Sequence, residues 1–116
     1  MTTNDILVLG DALIDELRWD DHVETHVGGA ALNVAVGLAV LGDRASLVSP
    51  IADDEDGRRI GAFLAQHGVE LIATPSPSGT LRAVSERVDG EPHYVFNDAA
   101  REKRIGFADD VRAALY

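Results

Sequence analysis

Val27-Gly28-Gly29-Ala30-Ala31-Leu32-Asn33-Val34-Ala35-Val36-Gly37-Leu38-Ala39-Val40-Leu41-Gly42 is uncharged over sixteen residues, in a chain with a net charge of −10. The glycine pair reads as a loop. The run from Ala31 to Leu41 then reads as a helix, with Gly42 in the left-handed position that ends it. That helix is apolar nearly all round, which predicts burial on most sides. Asn33 is the exception. It lies on the first turn beside two residues without side chains, where a carboxamide could meet a ligand rich in hydroxyls. Close helix–sheet packing and local capping account for Gly28-Gly29 and Asn33 equally well on physics alone.

Working outward, Asp5-Ile6-Leu7-Val8-Leu9-Gly10 is a short apolar run ended by glycine, the pattern of a strand buried on both faces of a parallel sheet. Asp11 and Asp15 follow it. In open α/β sheets ligands bind beyond the C-terminal ends of the strands, which makes both carboxylates candidates. The plainer alternatives are a turn at Asp11 and a solvated strand position at Asp15. Leu17 to Val27 reads as one or two half-exposed strands with a turn at Asp20-Asp21. His22 and His26 are four apart, a metal-ligand spacing on a helix. This stretch looks extended and the chain has no cysteine, so no metal site is expected.

Downstream of the helix, Arg44 to Ile51 predicts a second buried strand closed by Pro50. Asp53-Asp54-Glu55-Asp56 lacks the ligand spacing of a calcium loop. It predicts instead a helix capped by Asp53, with acids crowding its positive end. Ile60, Phe63 and Leu64 form that helix's apolar stripe, Gly68 ends it, and Val69 to Ala73 is a third strand. Strand, helix, strand, helix, strand implies a parallel sheet with right-handed crossovers. After a Pro/Ser loop, Thr80 to Val88 and Glu91 to Asn97 flank Asp89-Gly90, a preferred hairpin turn. That turn sets Glu86 opposite His93 and Val84 opposite Val95. The hairpin is expected to join the early strands in a second, smaller sheet. Residues 98–105 read as a charged loop, and Phe107 to Tyr116 as the start of a further helix.

With 116 residues and 46% apolar content, one ordinary domain with a core is possible. The acidic surface disfavours nucleic acid. The apolar runs are too short for a membrane span or a signal peptide. The lack of cysteine fits a cytoplasmic setting.

Taken in order, these stretches resemble the N-terminal part of the ribokinase/PfkB family of carbohydrate kinases. Gly28-Gly29-Ala30-Ala31-Leu32-Asn33-Val34-Ala35 with Leu41-Gly42 looks like that family's N-terminal signature. Gly10-Asp11-Ala12-Leu13-Ile14-Asp15 resembles the opening of its fructokinase-like branch. Asp53-Asp54 with Gly57 resembles its G-D-D-x-x-G, and the Asp89-Gly90 hairpin fits its β-lid. The resemblance implies a ribokinase-like α/β fold: a parallel Rossmann-like sheet with helices on both faces, plus a small antiparallel β-lid, here as an N-terminal part only. The core would take residues of about 1–12, 28–74 and 98–116, and the lid about 13–27 and 79–97.

It also implies ATP- and Mg²⁺-dependent phosphorylation of a sugar hydroxymethyl group. Asp15 matches the lid-hinge aspartate that binds sugar hydroxyls, Gly29 the glycine whose backbone abuts the sugar, and Asn33 the carboxamide that binds it. Asp11 is a weaker match. Ala30 stands where ribokinase has lysine, and Leu13 where it has asparagine. Both lean away from ribose, towards a fructokinase-like or ketodeoxy-sugar substrate. Ala52 replaces the usual glycine before Asp53. No catalytic base, anion hole or nucleotide site is recognisable, and the chain has no Gly-x-Gly-x-x-Gly or Gly-Lys-Ser/Thr. The chain is therefore expected to be a portion of a longer enzyme, inactive alone, and to form a homodimer through the lid. The alternative is a non-catalytic α/β and lid module that acts by association. A small dinucleotide binder fits poorly, because the glycine spacing and the following acid are wrong for it.

Overall fold

The computed structural model describes residues 5–102 and residue 105. Their order is β1 (Asp5–Leu9), β2 (Leu13–Trp19), β3 (His22–Gly28), α1 (Ala30–Val40), β4 (Arg44–Pro50), α2 (Glu55–Gln66), β5 (Glu70–Thr74), β6 (Arg82–Val88) and β7 (Glu91–Phe96), then a 3-10 turn at Asp98–Glu102. The strands form two sheets. One is wholly parallel, in the order β1-β4-β5, and the other runs β3-β2-β6-β7. The second sheet is two antiparallel hairpins joined side by side, because β2 and β6 pair in parallel.

The parallel sheet carries the core. Register sets Val8 beside Leu47, and Leu47 beside Leu71. Alternation puts these three on one face with Ala45. Leu32 and Ala35 of α1 and Ile60 and Leu64 of α2 join them in one apolar cluster, all four fully buried. Both described helices thus cover the same face, as successive right-handed crossovers in one direction require. The other face presents Leu9, Val48 and Ile72 side by side and carries no helix among the described residues.

Each helix ends as its glycine predicts. Gly42 has φ +96 and donates to Ala39, while Asp43 donates to Leu38. Gly68 has φ +73 and donates to Ala65, while Val69 donates to Leu64. This pairing satisfies the last carbonyls of each helix. The hairpin register is also as its turn dictates, with Glu86 facing His93 and Val84 facing Val95.

Four expectations need correction. Gly28 is not loop: it pairs with Leu13 as the last residue of β3, and only Gly29 lies outside regular structure. The residue that caps α2 is Asp54, not Asp53. Asp54 is extended and accepts from Gly57 N at 2.7 Å, whereas Asp53 projects into solvent and pairs with Arg58. α1 is not buried on most sides, since Val34 is 54% exposed and Val40 74%. Only its sheet-facing stripe finds a partner among the described residues. Residues 98–102 make a 3-10 turn rather than a loop. The helix expected from Phe107 lies outside the described residues.

Candidate functional site

The C-terminal end of β1 turns sharply, and two glycines, Gly10 and Gly29, make room for the turn. Gly10 N donates to Val48 O, which extends the β1–β4 pairing by one bond. Ala12 N then donates to the fully buried Ser49 Oγ at 3.1 Å, and Leu32 N donates to Asp11 O. The first loop is therefore fastened to β4 on one side and to the first turn of α1 on the other. A Cβ at Gly10 would fall 2.7 Å from Ala31 Cβ, and one at Gly29 would fall 2.5 Å from Asp11 O. Gly29 also has φ +110, where side chains are strained. Backbone closeness at these two positions needs glycine for packing, whatever else it serves.

Asp15 sits in β2 directly opposite His26, and its Oδ2 lies 2.6 Å from where a Cβ on Gly28 would be. Its carboxylate thus rests against the backbone at the glycine pair. Gly29 follows at once, and its carbonyl accepts from Asn33 N at 3.0 Å in the first turn of α1. Asp15 and Gly29 are half-buried and the Asn33 side chain is exposed. The fold therefore sets the Asp15 carboxylate against Gly28, with Gly29 next in the chain and Asn33 one turn further on. Asp11 lies on the other side of Gly29. It borders a small hollow with Ala12, Pro50, Ser76, Leu81 and Ala99, whose volume is about 10 Å³. A hollow of that size admits one water at most. A wider depression of about 750 Å³ lies at the opposite ends of the strands, among Asp5, Leu7, Arg44, Ser46, Glu70 and Ile72. It is the wrong end of a parallel sheet for a ligand.

A second polar cluster escaped the sequence reading. Asp54 Oδ1 accepts from Thr80 Oγ1 at 2.7 Å and Oδ2 from Thr80 N at 2.9 Å, while Thr80 Oγ1 itself accepts from Ala52 N. Burial pushes the Asp54 carboxyl up. Hydrogen bonds from Thr80 and Gly57 and the charge of Arg58 outweigh it and hold the group below its usual range. Next to it, Arg82 makes two parallel bonds to Asp56, at 2.7 and 2.9 Å, and also bonds Glu16. Asp56 and Glu16 together hold the guanidinium above its ordinary value against the opposing effect of burial. Arg59 donates to Thr25 in β3. α2 and its cap therefore bond directly to β3 and to β6 with its approach, and reach β2 through Arg82. The acidic run signalled a helix start, but nothing local announces the ion pair from Asp56 to Arg82, 26 positions on, or from Arg82 to Glu16, 66 positions back.

Three of the four acids of that run are occupied: Asp53 by Arg58, Asp54 by Thr80 and Gly57, Asp56 by Arg82. No group of three metal-binding side chains occurs among the described residues. No helix among the described residues is long and apolar enough to cross a membrane.

A parallel α/β sheet with an inserted lid sheet and a glycine bend at the first strand's tip is the ribokinase-like arrangement. Fructokinase from Vibrio cholerae superposes with a TM-score of 0.72 at 26% identity, covering 82% of this chain and 34% of that one. Fructokinase from Xylella fastidiosa with bound ATP gives 0.72 at 30% identity, covering 80% and 32%. The sequence pattern described as pfkB family carbohydrate kinase matches residues 4–114, and the chain belongs to that family. Among its relatives, the acarbose 7(IV)-phosphotransferase of Actinoplanes sp. is 36% identical over 94 residues, which is 70% of this chain and 31% of the relative. Fructokinase-1 of Zea mays is 34% identical over 91 residues, 76% and 28% respectively. The chain thus spans about a third of the length of the relatives it matches.

Proposed function

We propose that this segment forms the sugar-holding side of an ATP-dependent sugar kinase. In this reading Asp15 and Asn33 bind hydroxyls of the acceptor, the Gly29 backbone lets the sugar approach closely, and Asp11 lines the far edge. The observation that carries it is the seating of the Asp15 carboxylate against Gly28, next to the positive-φ bend at Gly29. Among the described residues neither Asp15 nor Asn33 spends its side chain on another protein group, which leaves both available to hydroxyls. A carboxylate and a carboxamide are the acceptors and donors a polyol needs, and a hydroxyl left unpaired against them is costly. The relatives named fructokinase support a hexose-type acceptor, and the relative named 2-dehydro-3-deoxygluconokinase supports a ketodeoxy sugar.

ATP with Mg²⁺ would supply the phosphoryl group when bound, and its site, with the catalytic base, is assigned to the part of the enzyme outside this segment. The lid strands would shield the sugar from water. The test is a kinase assay with fructose and ketodeoxy sugars. The protein at the length of its relatives should phosphorylate one of them, and the 116-residue chain should not. Turnover by the short chain, or none by the long one, would contradict the proposal.

The lid also favours a second reading, association through its own sheet. Tyr94 is 66% exposed and Val95 65%, and Val23 and Phe96 are also exposed. Unpartnered strands with apolar side chains pair readily with other chains. A homodimer through the lid is compatible with the kinase reading. A dimer indifferent to every sugar would favour a module without catalysis.

A further inference from the structure

We propose that Arg82 is a positioning residue, which sets the angle of the lid and so aims Asp15 at the glycine bend. The inference deepens the sugar-cradle reading and rests on it for its functional consequence. Three elements meet at Arg82: its own strand β6, α2 through Asp56, and β2 through Glu16. Its guanidinium takes Asp56 with two parallel bonds, a planar fork that fixes direction as well as distance. Glu16 is only 7% exposed, and its other oxygen is held by Arg18.

Glu16 is the residue next to Asp15, so the two point to opposite faces of β2. The ion cluster therefore lies on the side of the lid turned to α2, and Asp15 on the side turned away from it. Arg82 cannot touch a ligand held by Asp15, yet β2 and β6 pair at this level, with Ile14 beside Arg82 and Asp15 beside Ala83. Among the described residues, the other polar ties between the lid and α2 are Thr80 on Asp54 and Arg59 on Thr25. The first is at the root of β6 and the second on an exposed flank. Ile14 of β2 packs with Ile60 and Leu64 of α2 in the apolar core, and Arg82 adds the directional polar tie between α2 and the strand that carries Asp15.

The test uses the 116-residue chain with spin labels at Asp21, on the lid tip, and Gln66, on α2. Electron–electron distance measurements should give one narrow distribution in the parent. Both Arg82→Gln and Asp56→Asn should broaden or shift it, and Arg82→Lys should fail to restore it because an ammonium lacks the fork. Should Arg82→Gln not fold, Asp56→Asn, nearly the same shape, decides alone. An unchanged narrow distribution in the folded variants overturns the proposal, whether or not the protein is a kinase. In the protein at the length of its relatives, the same variants should raise the sugar KM about tenfold and leave the ATP KM alone, as misaim of one ligand predicts. Wild-type protein without sugar kinase activity would defeat the cradle reading and leave the distance result to judge the lid.

Discussion

The two sheets of this molecule share an apolar cluster but differ in how much polar contact holds each in place. The parallel sheet is closed by aliphatic side chains: Leu47, Val48, Ile60 and Leu64 have no exposed surface at all. The lid sheet has Ile14 and Ala83 inside, but its outer strand β7 is exposed at every position. Ile14 seats the lid in the same apolar cluster as α2, and polar ties set beside it fix direction: Thr80 on Asp54, Arg82 between Asp56 and Glu16, and Arg59 on Thr25. Apolar burial is strong and indifferent to direction. A bidentate ion pair adds less energy and more geometry. The contrast suits a rigid platform that carries a cover whose angle matters.

Four substitutions would break or sharpen this contrast. Leu64→Ala, in the core beneath both sheets, should cost about 2–5 kcal/mol in chemical denaturation. A loss below 1 kcal/mol would mean that α2 is not the keystone its burial indicates. Gly29→Ala places a Cβ 2.5 Å from Asp11 O at φ +110 and should cost about 1–3 kcal/mol, with sugar binding lost as the bend shifts. Calorimetry and thermal melting would show both.

Asp54→Asn probes the polar seat through pH. An unfolded aspartate takes up its proton near 3.9. The folded group holds out to lower pH, so its stabilisation is complete above that value and is lost as pH falls through the folded pKa. The parent should therefore lose stability over that acid range, and the variant should lack this component in pH-dependent melts. Val95→Ser, on the outer lid, should change monomer stability by no more than about 0.5 kcal/mol. If the lid is a dimer face, the same variant should instead lower the mass seen in sedimentation.

Much of this was legible in the sequence because it was written locally. Gly42 and Gly68 mark helix ends, Asp89-Gly90 fixes a hairpin register, and apolar runs of five to seven residues give the parallel strands. The cap of α2 was misread by one residue because adjacent aspartates offer the same carboxylate, and only the backbone angle chooses between them. The exposed side of α1 was misjudged because composition reports what a helix could bury, not what is present to cover it. The grip of α2 on the lid was invisible, since Arg82 and Glu16 are far apart in the chain and unremarkable where they stand. At the candidate site, the nearness of Gly29 to Asp11 follows from the crowding at the bend, but its reason could be read only once the strands were paired.

The most direct test of the cradle is a nuclear magnetic resonance titration of the isotopically labelled 116-residue chain with fructose and with a ketodeoxy sugar acid. The account predicts that the Gly29 backbone amide, the Asn33 side-chain amide and the residues flanking Asp15 shift together along one saturating curve, and that Asp15→Asn abolishes the response. Shifts confined to the depression near Arg44 and Glu70, with Gly29 and Asn33 unmoved, would contradict it.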